Sequence, residues 1–191
     1  SAALLVFASA MLNRLAFLLS PLALAIVFFY SLTKRFTSYS HVFLGIALSV
    51  APVGAWVAIR EEISLVSLVL GTAVVFWLIG FDIIYSCQDI ESDERTRLYS
   101  IPRKFGVGRA LTLAWMSHIA MVIFLLVLYA FSPLLGNLYL LGVFLTAGLL
   151  AYEHALVKSG DLSKVNMAFF NVNGCISLLL MVLVIVDCLW F

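Results

Sequence analysis

Of 191 residues, 64% are hydrophobic and only 11% are charged, far below the roughly 25% charge of soluble domains. One globular core of this length cannot hide so much apolar surface, which excludes an ordinary soluble domain and reads as one membrane-embedded domain spanning residues 1–191. A net charge of +1 excludes the strongly basic surface of a nucleic-acid binder.

In chain order, residues 1–12 are apolar but too short to cross a bilayer, and no basic segment precedes them as in a signal peptide. With Ser at position 1, they are expected to be the tail of a helix whose beginning is absent, so that the domain is N-terminally incomplete. Residues 15–33, 36–59 and 63–81 follow, each free of Asp, Glu, Lys and Arg and long enough to cross the hydrocarbon, which takes roughly 20 apolar residues. Residues 110–152 are also uncharged, but at 43 residues they are too long for one crossing. Turn residues at Ser132-Pro133 and Gly136-Asn137 divide that run in two, and 165–186 forms the last span. The expectation is an all-α polytopic bundle of six full transmembrane helices plus one truncated helix.

Basic residues orient the bundle. One set of alternate connections holds Lys34, Arg35, Arg95, Arg97, Arg103, Lys104, Arg109, Lys158 and Lys164; the opposite set holds only Arg14 and Arg60. Nine against two places the first set in the cytoplasm. Cys87, Cys175 and Cys188 show neither metal spacing nor a disulfide framework and read as small buried hydrophobes.

The segment F-D-I-I-Y-S-C-Q-D-I-E-S-D-E-R-T-R, residues 81–97, interrupts this pattern with five acids directly after a span. Asp82, Asp89 and Asp93 fall within about 40° on a continuous helix, with Tyr85 about 60° to one side. Asp89 and Asp93 lie about 6 Å apart along that axis, and Asp82 about 10 Å deeper. An acid at the hydrocarbon boundary marks function by default. Hard oxygen ligands select Mg²⁺, with Mn²⁺ as a substitute, and Mg²⁺ commonly completes its shell with substrate phosphate. Arg95, Arg97, Arg103 and Lys104 lie close in sequence, and acids beside bases at one membrane face suit a phosphorylated lipid. Glu91 and Glu94 lie off the stripe and read as solvated. Tyr30 and Lys34, four residues apart at the same membrane face, share one helix side. The rival class is a transporter or channel with an acidic cation site; it predicts midplane sites on broken helices and internal repeats, and no repeat is present.

The spacing D-x-x-Y-x-x-x-D-x-x-x-D at 82–93, Y-S-L-T-K-R-F-T at 30–37, L-G-I-A-L-S-V-A-P at 44–52, Y-S-I-P at 99–102 and F-F-N-V-N at 169–173 resemble the UbiA superfamily of membrane prenyltransferases, in its 4-hydroxybenzoate branch. The resemblance implies a nine-helix parent fold, of which residues 3–190 would be helices three to nine. The first aspartate motif would lie on N-terminal helices outside this sequence, and those helices would be needed to complete the site. It further implies an isoprenyl diphosphate donor, an aromatic acid acceptor, service in ubiquinone or menaquinone biosynthesis, and a bacterial inner membrane with the active face cytoplasmic. By the same resemblance Asp89 and Asp93 would hold the metal. Lys34, Arg95, Arg97, Arg103, Lys104 and Asn171 would bind diphosphate, and Asp82, Tyr85 and Tyr30 would act in catalysis. Elsewhere, His118 reads as a hydrogen-bonded packing residue, Glu153 and His154 as solvated groups at a helix end, and Asp187 as interfacial.

Overall fold

The computed structural model describes residues 2–158 and 161–190. Six of its helices are long and apolar enough to cross a membrane. A short apolar helix, α1 (Ala2–Leu12), leads into α2 (Arg14–Thr33). Asn13 marks the break: its side-chain oxygen accepts from Ala16 N (2.8 Å), capping α2. Its amide donates to the carbonyls of Val57 (2.9 Å) and Ala58 (3.1 Å), tying the break to the end of α3 (Ser40–Arg60). Glu61 closes α3 in the left-handed region (φ 57°). Ser64 and Ser67 then form a reciprocal capping box that starts α4 (Leu65–Ser86). Such caps satisfy terminal N–H groups that have no partner within the helix.

The helix α4 does not end where its uncharged run ends. It continues through Asp82 to Ser86, and the chain then turns through Cys87 and Gln88. Two short helices follow, α5 (Ile90–Arg95) and α6 (Ile101–Phe105), before the long α7 (Val107–Phe131). The antiparallel α8 (Asn137–Leu156) comes next, then a π-helical turn, Met167–Val172, that runs into α9 (Asn173–Trp190). Pro133 and Gly136 do lie in the α7–α8 turn. There Asp187, expected to be interfacial, is wholly buried. Its carboxylate accepts from the N–H groups of Gly136 and of Leu138 (3.1 Å), capping the start of α8. An acid at a helix N-terminus also meets the positive end of the helix dipole.

At the centre α4 packs between α3 and α7, with α2 outside α3 and α9 against α8. Glycine permits the first of these contacts: a Cβ on Gly45 of α3 would lie 2.8 Å from the Val75 carbonyl oxygen of α4. Close backbone approach at small residues is how helices gain contact in lipid, where apolar burial gives little drive. The core comprises residues such as Ala73, Met121, Leu125, Val143 and Ile176. Phe28, Leu48, Met116, Phe144 and Leu178 remain exposed, as the lipid face of an integral membrane bundle requires.

Candidate active site

The site lies at the end of the bundle where α2 stops, α3 starts and α4 gives way to α5. The turn at Cys87–Gln88 corrects the continuous acidic stripe expected from the sequence. Asp82 sits in the penultimate turn of α4, Asp89 precedes α5, and Asp93 lies within α5. Asp82 and Asp93 are nonetheless both within electrostatic reach of Asp89. Burial holds the Asp89 carboxyl above the usual aspartate range; Lys34 pulls it down, while the charges of Asp93 and Asp82 push it further up.

Lys34 caps the C-terminus of α2, and its ammonium is 3.8 Å from Asp93 Oδ1. Backbone bonds fix the pair. Tyr99 N donates to the Lys34 carbonyl (2.8 Å), Asp93 N to the Asp89 carbonyl (2.8 Å) and Leu98 N to the Asp93 carbonyl (2.9 Å). Asp93 is only 3% exposed, and its Oδ2 has no partner among the described residues. A buried carboxylate oxygen without a hydrogen bond is costly, and a cation is one group that would satisfy it. Among the described residues no three His, Cys, Asp or Glu side chains stand close enough to hold an ion unaided. Asp89 and Asp93 together can supply the one or two carboxylates by which Mg²⁺ is typically held, with phosphate oxygens supplying further ligands.

The expected basic set separates. Arg95 pairs with Glu91 at 3.7 Å, both more than four-fifths exposed, and Arg97 is exposed with φ 56°. Arg103 donates to the backbone carbonyls of Leu98 and Asp93 (3.4 Å for the latter) and so braces the acidic loop. Lys104 lies over the Tyr39 ring at 5.4 Å. Arg103 and Lys104 line a cavity of about 380 Å³ with Phe36, Tyr39, Tyr99 and Ser100, and none of the three aspartates lines it. Among the described residues, Lys34 is the cation brought to Asp89 and Asp93.

Aromatic rings continue the site along α4. Trp77, Phe81 and Tyr85 recur every four residues and so share one helix face. Phe169 of the π-helical turn packs edge-on against Phe81 (5.2 Å between centroids) and tilted against Tyr85 (4.4 Å). Tyr30 is half-buried in the last turn of α2, four residues before Lys34.

Asn171 is exposed, and its side chain makes no hydrogen bond among the described residues; Asn173, two positions on, is the buried one. Asn173 accepts from Trp77 Nε1 (2.7 Å) and donates to Glu153 Oε1 (3.0 Å) and to the Ala168 (3.2 Å) and Phe169 (3.1 Å) carbonyls. It thereby ties the π-helical turn to α4 and α8. Glu153, expected to be solvated, is wholly buried, with Oε2 3.8 Å from His118 Nδ1. His118 Nδ1 in turn lies 3.0 Å from His154 Nε2. His118 is thus a hydrogen-bonded interior residue, as its mid-span position implied. Of the cysteines Cys87 is buried, its thiol pushed up to about 12 by burial, whereas Cys175 and Cys188 are exposed rather than buried.

One site residue has no signal in the sequence. His41, in the first turn of α3, is wholly buried, and its Nδ1 lies 2.6 Å from Asp82 Oδ2. Its Nε2 accepts from the N–H of Ile101, the first residue of α6, at 3.4 Å.

Known proteins place this fold. A sequence profile of the UbiA prenyltransferase family matches residues 1–175. A protein of Marinobacter nauticus named 4-hydroxybenzoate octaprenyltransferase is 31% identical over 161 residues, covering 84% of this chain and 54% of its own length. One of the same name from Haemophilus ducreyi is 30% identical over 162 residues, covering 85% of this chain and 58% of its own. The chain thus spans about half the length of the curated relatives it matches. The apo structure of a UbiA homolog from Aeropyrum pernix K1 superposes with a TM-score of 0.85 at 33% identity, over 97% of this chain and 69% of that one. By sequence and by fold, the chain belongs to the UbiA prenyltransferase family.

Proposed function

We propose that this protein transfers an isoprenyl group from an isoprenyl diphosphate to an aromatic acid such as 4-hydroxybenzoate, at the cytoplasmic face of a bacterial inner membrane, in quinone biosynthesis. The observation that carries the reading is the Lys34–Asp93 pair, with Asp93 keeping a buried oxygen free of partners among the described residues, near Asp89, and the aromatic face of α4 running away into the bundle. A charged head and an apolar tail are the two halves of the donor. The relatives' names supply the acceptor.

In this reading Asp89 and Asp93 hold Mg²⁺, or Mn²⁺ in its place. The ion, when bound, neutralises charge that builds on the departing diphosphate. Lys34 acts on a phosphate oxygen as a point charge. The bond between the allylic carbon and the diphosphate oxygen breaks, and its electron pair leaves with the diphosphate. The Tyr85 and Phe169 rings present π faces that stabilise an allylic cation, with Tyr30 a further candidate at the end of α2. A ring carbon of the acceptor supplies the pair for the new carbon–carbon bond, and the displaced ring proton passes to Asp82. Apolar walls keep out water, which would otherwise capture the cation. The positive-inside distribution of Lys and Arg supports the cytoplasmic orientation.

The test is an assay of membranes carrying the full gene product, with radiolabelled isoprenyl diphosphate and 4-hydroxybenzoate. A lipid-soluble prenylated acid that forms with Mg²⁺ and vanishes with EDTA is the expected result. Membranes that make none, while moving Mg²⁺ across the bilayer, would overturn the reading in favour of the transporter class.

A further inference from the structure

We propose that His41 is a positioning residue for Asp82, acting through a hydrogen bond whose polarity α6 sets. His41 is the only wholly buried side chain among the described residues that bonds to an acid of the site. Each ring nitrogen has a single partner. The Ile101 N–H can only donate, so Nε2 must carry a lone pair. In the neutral imidazole the proton then sits on Nδ1, which donates to Asp82 Oδ2 at 2.6 Å. That length is at the short end for an N–H bond to an ionised oxygen, which is typically about 2.7–2.9 Å. Ring orientation, tautomer and the choice of carboxylate oxygen are all fixed by one backbone N–H.

The consequence falls on the other oxygen. Asp82 is a fifth exposed at its side chain, and its Oδ1 has no hydrogen-bond partner among the described residues. His41 therefore occupies Oδ2 and leaves Oδ1 as the atom that Asp82 presents. Without His41, the Asp82 side chain has no partner in this set and is free to rotate toward Lys34 or into solvent. Orientation of a proton-transfer group sets its rate. The same bond links the acid to α6, so movement of the loop that follows Asp93 is felt at Asp82.

This inference rests on the prenyl-transfer reading for its kinetic arm alone; a spectroscopic arm stands apart from activity. Asparagine places an amide N–H near the position of Nδ1, whereas glutamine reaches the position of Nε2. In membranes, His41→Asn is expected to keep most of kcat. His41→Gln, which can still accept from Ile101 N–H, is expected to lose about a hundredfold, the lower end for disabling a proton-transfer group. Both variants should match the wild type in melting temperature to within about 3 °C, so that the loss is not one of folding. A glutamine variant as active as the asparagine variant would mean that His41 only braces α6, and would overturn the proposal. The independent arm is the ¹⁵N spectrum of the purified full-length protein, with the His41 signals assigned by their loss in His41→Gln. The proposal requires an Nδ1–H tautomer, and an Nε2–H tautomer contradicts it whether or not any prenyl group is transferred. If the tautomer is Nδ1–H but no prenylated product forms in the wild type, the prenyl-transfer reading fails while the positioning of Asp82 stands.

Discussion

Asp93 and Glu94 are neighbours with opposite fates, and the difference is burial. Asp93 is buried beside Lys34 with one oxygen unpaired among the described residues, whereas Glu94 is exposed. Substituting Asp89 or Asp93 by Ala is expected to lower turnover by about a hundredfold or more in membranes carrying the full gene product, since charge stabilisation at a leaving group is worth several kcal/mol. Glu94→Ala should stay within about twofold, because an exposed side chain away from the site contributes little. An Asp89→Ala enzyme with ordinary metal dependence would remove it as a ligand. A pH effect belongs to the same residue. Asp89 titrates above the usual aspartate range in the metal-free protein, and a cation needs its carboxylate, so Mg²⁺ affinity falls as pH drops through that raised value. Lys34 opposes the rise. Lys34→Gln should therefore move the acid limb of Mg²⁺ binding to higher pH, and Asp82→Asn should move it lower. Titrations of Mg²⁺ affinity across pH read both, and a limb that moves down in Lys34→Gln would contradict the assigned cause.

At the scale of elements, the spans were legible because uncharged length is a strong signal; what breaks a helix or joins two of them was not. Counting phase along 82–93 presumes one helix, and the turn at Cys87–Gln88 carries no Gly or Pro to announce itself. Asn171 and Asn173 differ by two positions, about 200° on a helix, and the π-helical turn shifts that register again. Sequence could not say which faces inward. Glu153 read as solvated because it stands near a helix end, yet its partner Asn173 lies twenty residues on, in the next span. His41 sits 41 residues before Asp82 in an uncharged stretch, and only the α3–α4 packing unites them. The Asn173 network makes a prediction at this scale. Asn173→Ala leaves Trp77 Nε1 and Glu153 Oε1 unpaired, an expected cost of about 1–3 kcal/mol. Asn171→Ala should change stability by less than about 0.5 kcal/mol. Thermal unfolding in detergent compares them, and equal melting points would show that the π-helical turn is held by something else.

For the whole molecule, orientation and site are one statement, because Lys34, Asp89, Asp93 and most of the basic residues share one end of the bundle. A Ser92→Cys probe, exposed on α5, should react with an impermeant thiol reagent from the cytoplasmic side of oriented membranes. Cys175 and Cys188 are replaced in that variant, being exposed themselves. Labelling only from the outer side would invert the topology. The family and the bundle were legible from spacing and hydropathy. The division of the bases was not, since four basic residues close in sequence reach different surroundings through two short helices and a residue at positive φ. In the proposed reaction a diphosphate is held through a cation at Asp89 and Asp93. Retention of a non-hydrolysable isoprenyl thiolodiphosphate by the purified full-length protein measures this most directly, with Mg²⁺, with EDTA, and in Asp93→Ala. Binding that needs Mg²⁺ and falls by about tenfold or more in Asp93→Ala is the predicted result; binding of equal strength with EDTA, or undiminished in Asp93→Ala, would contradict it.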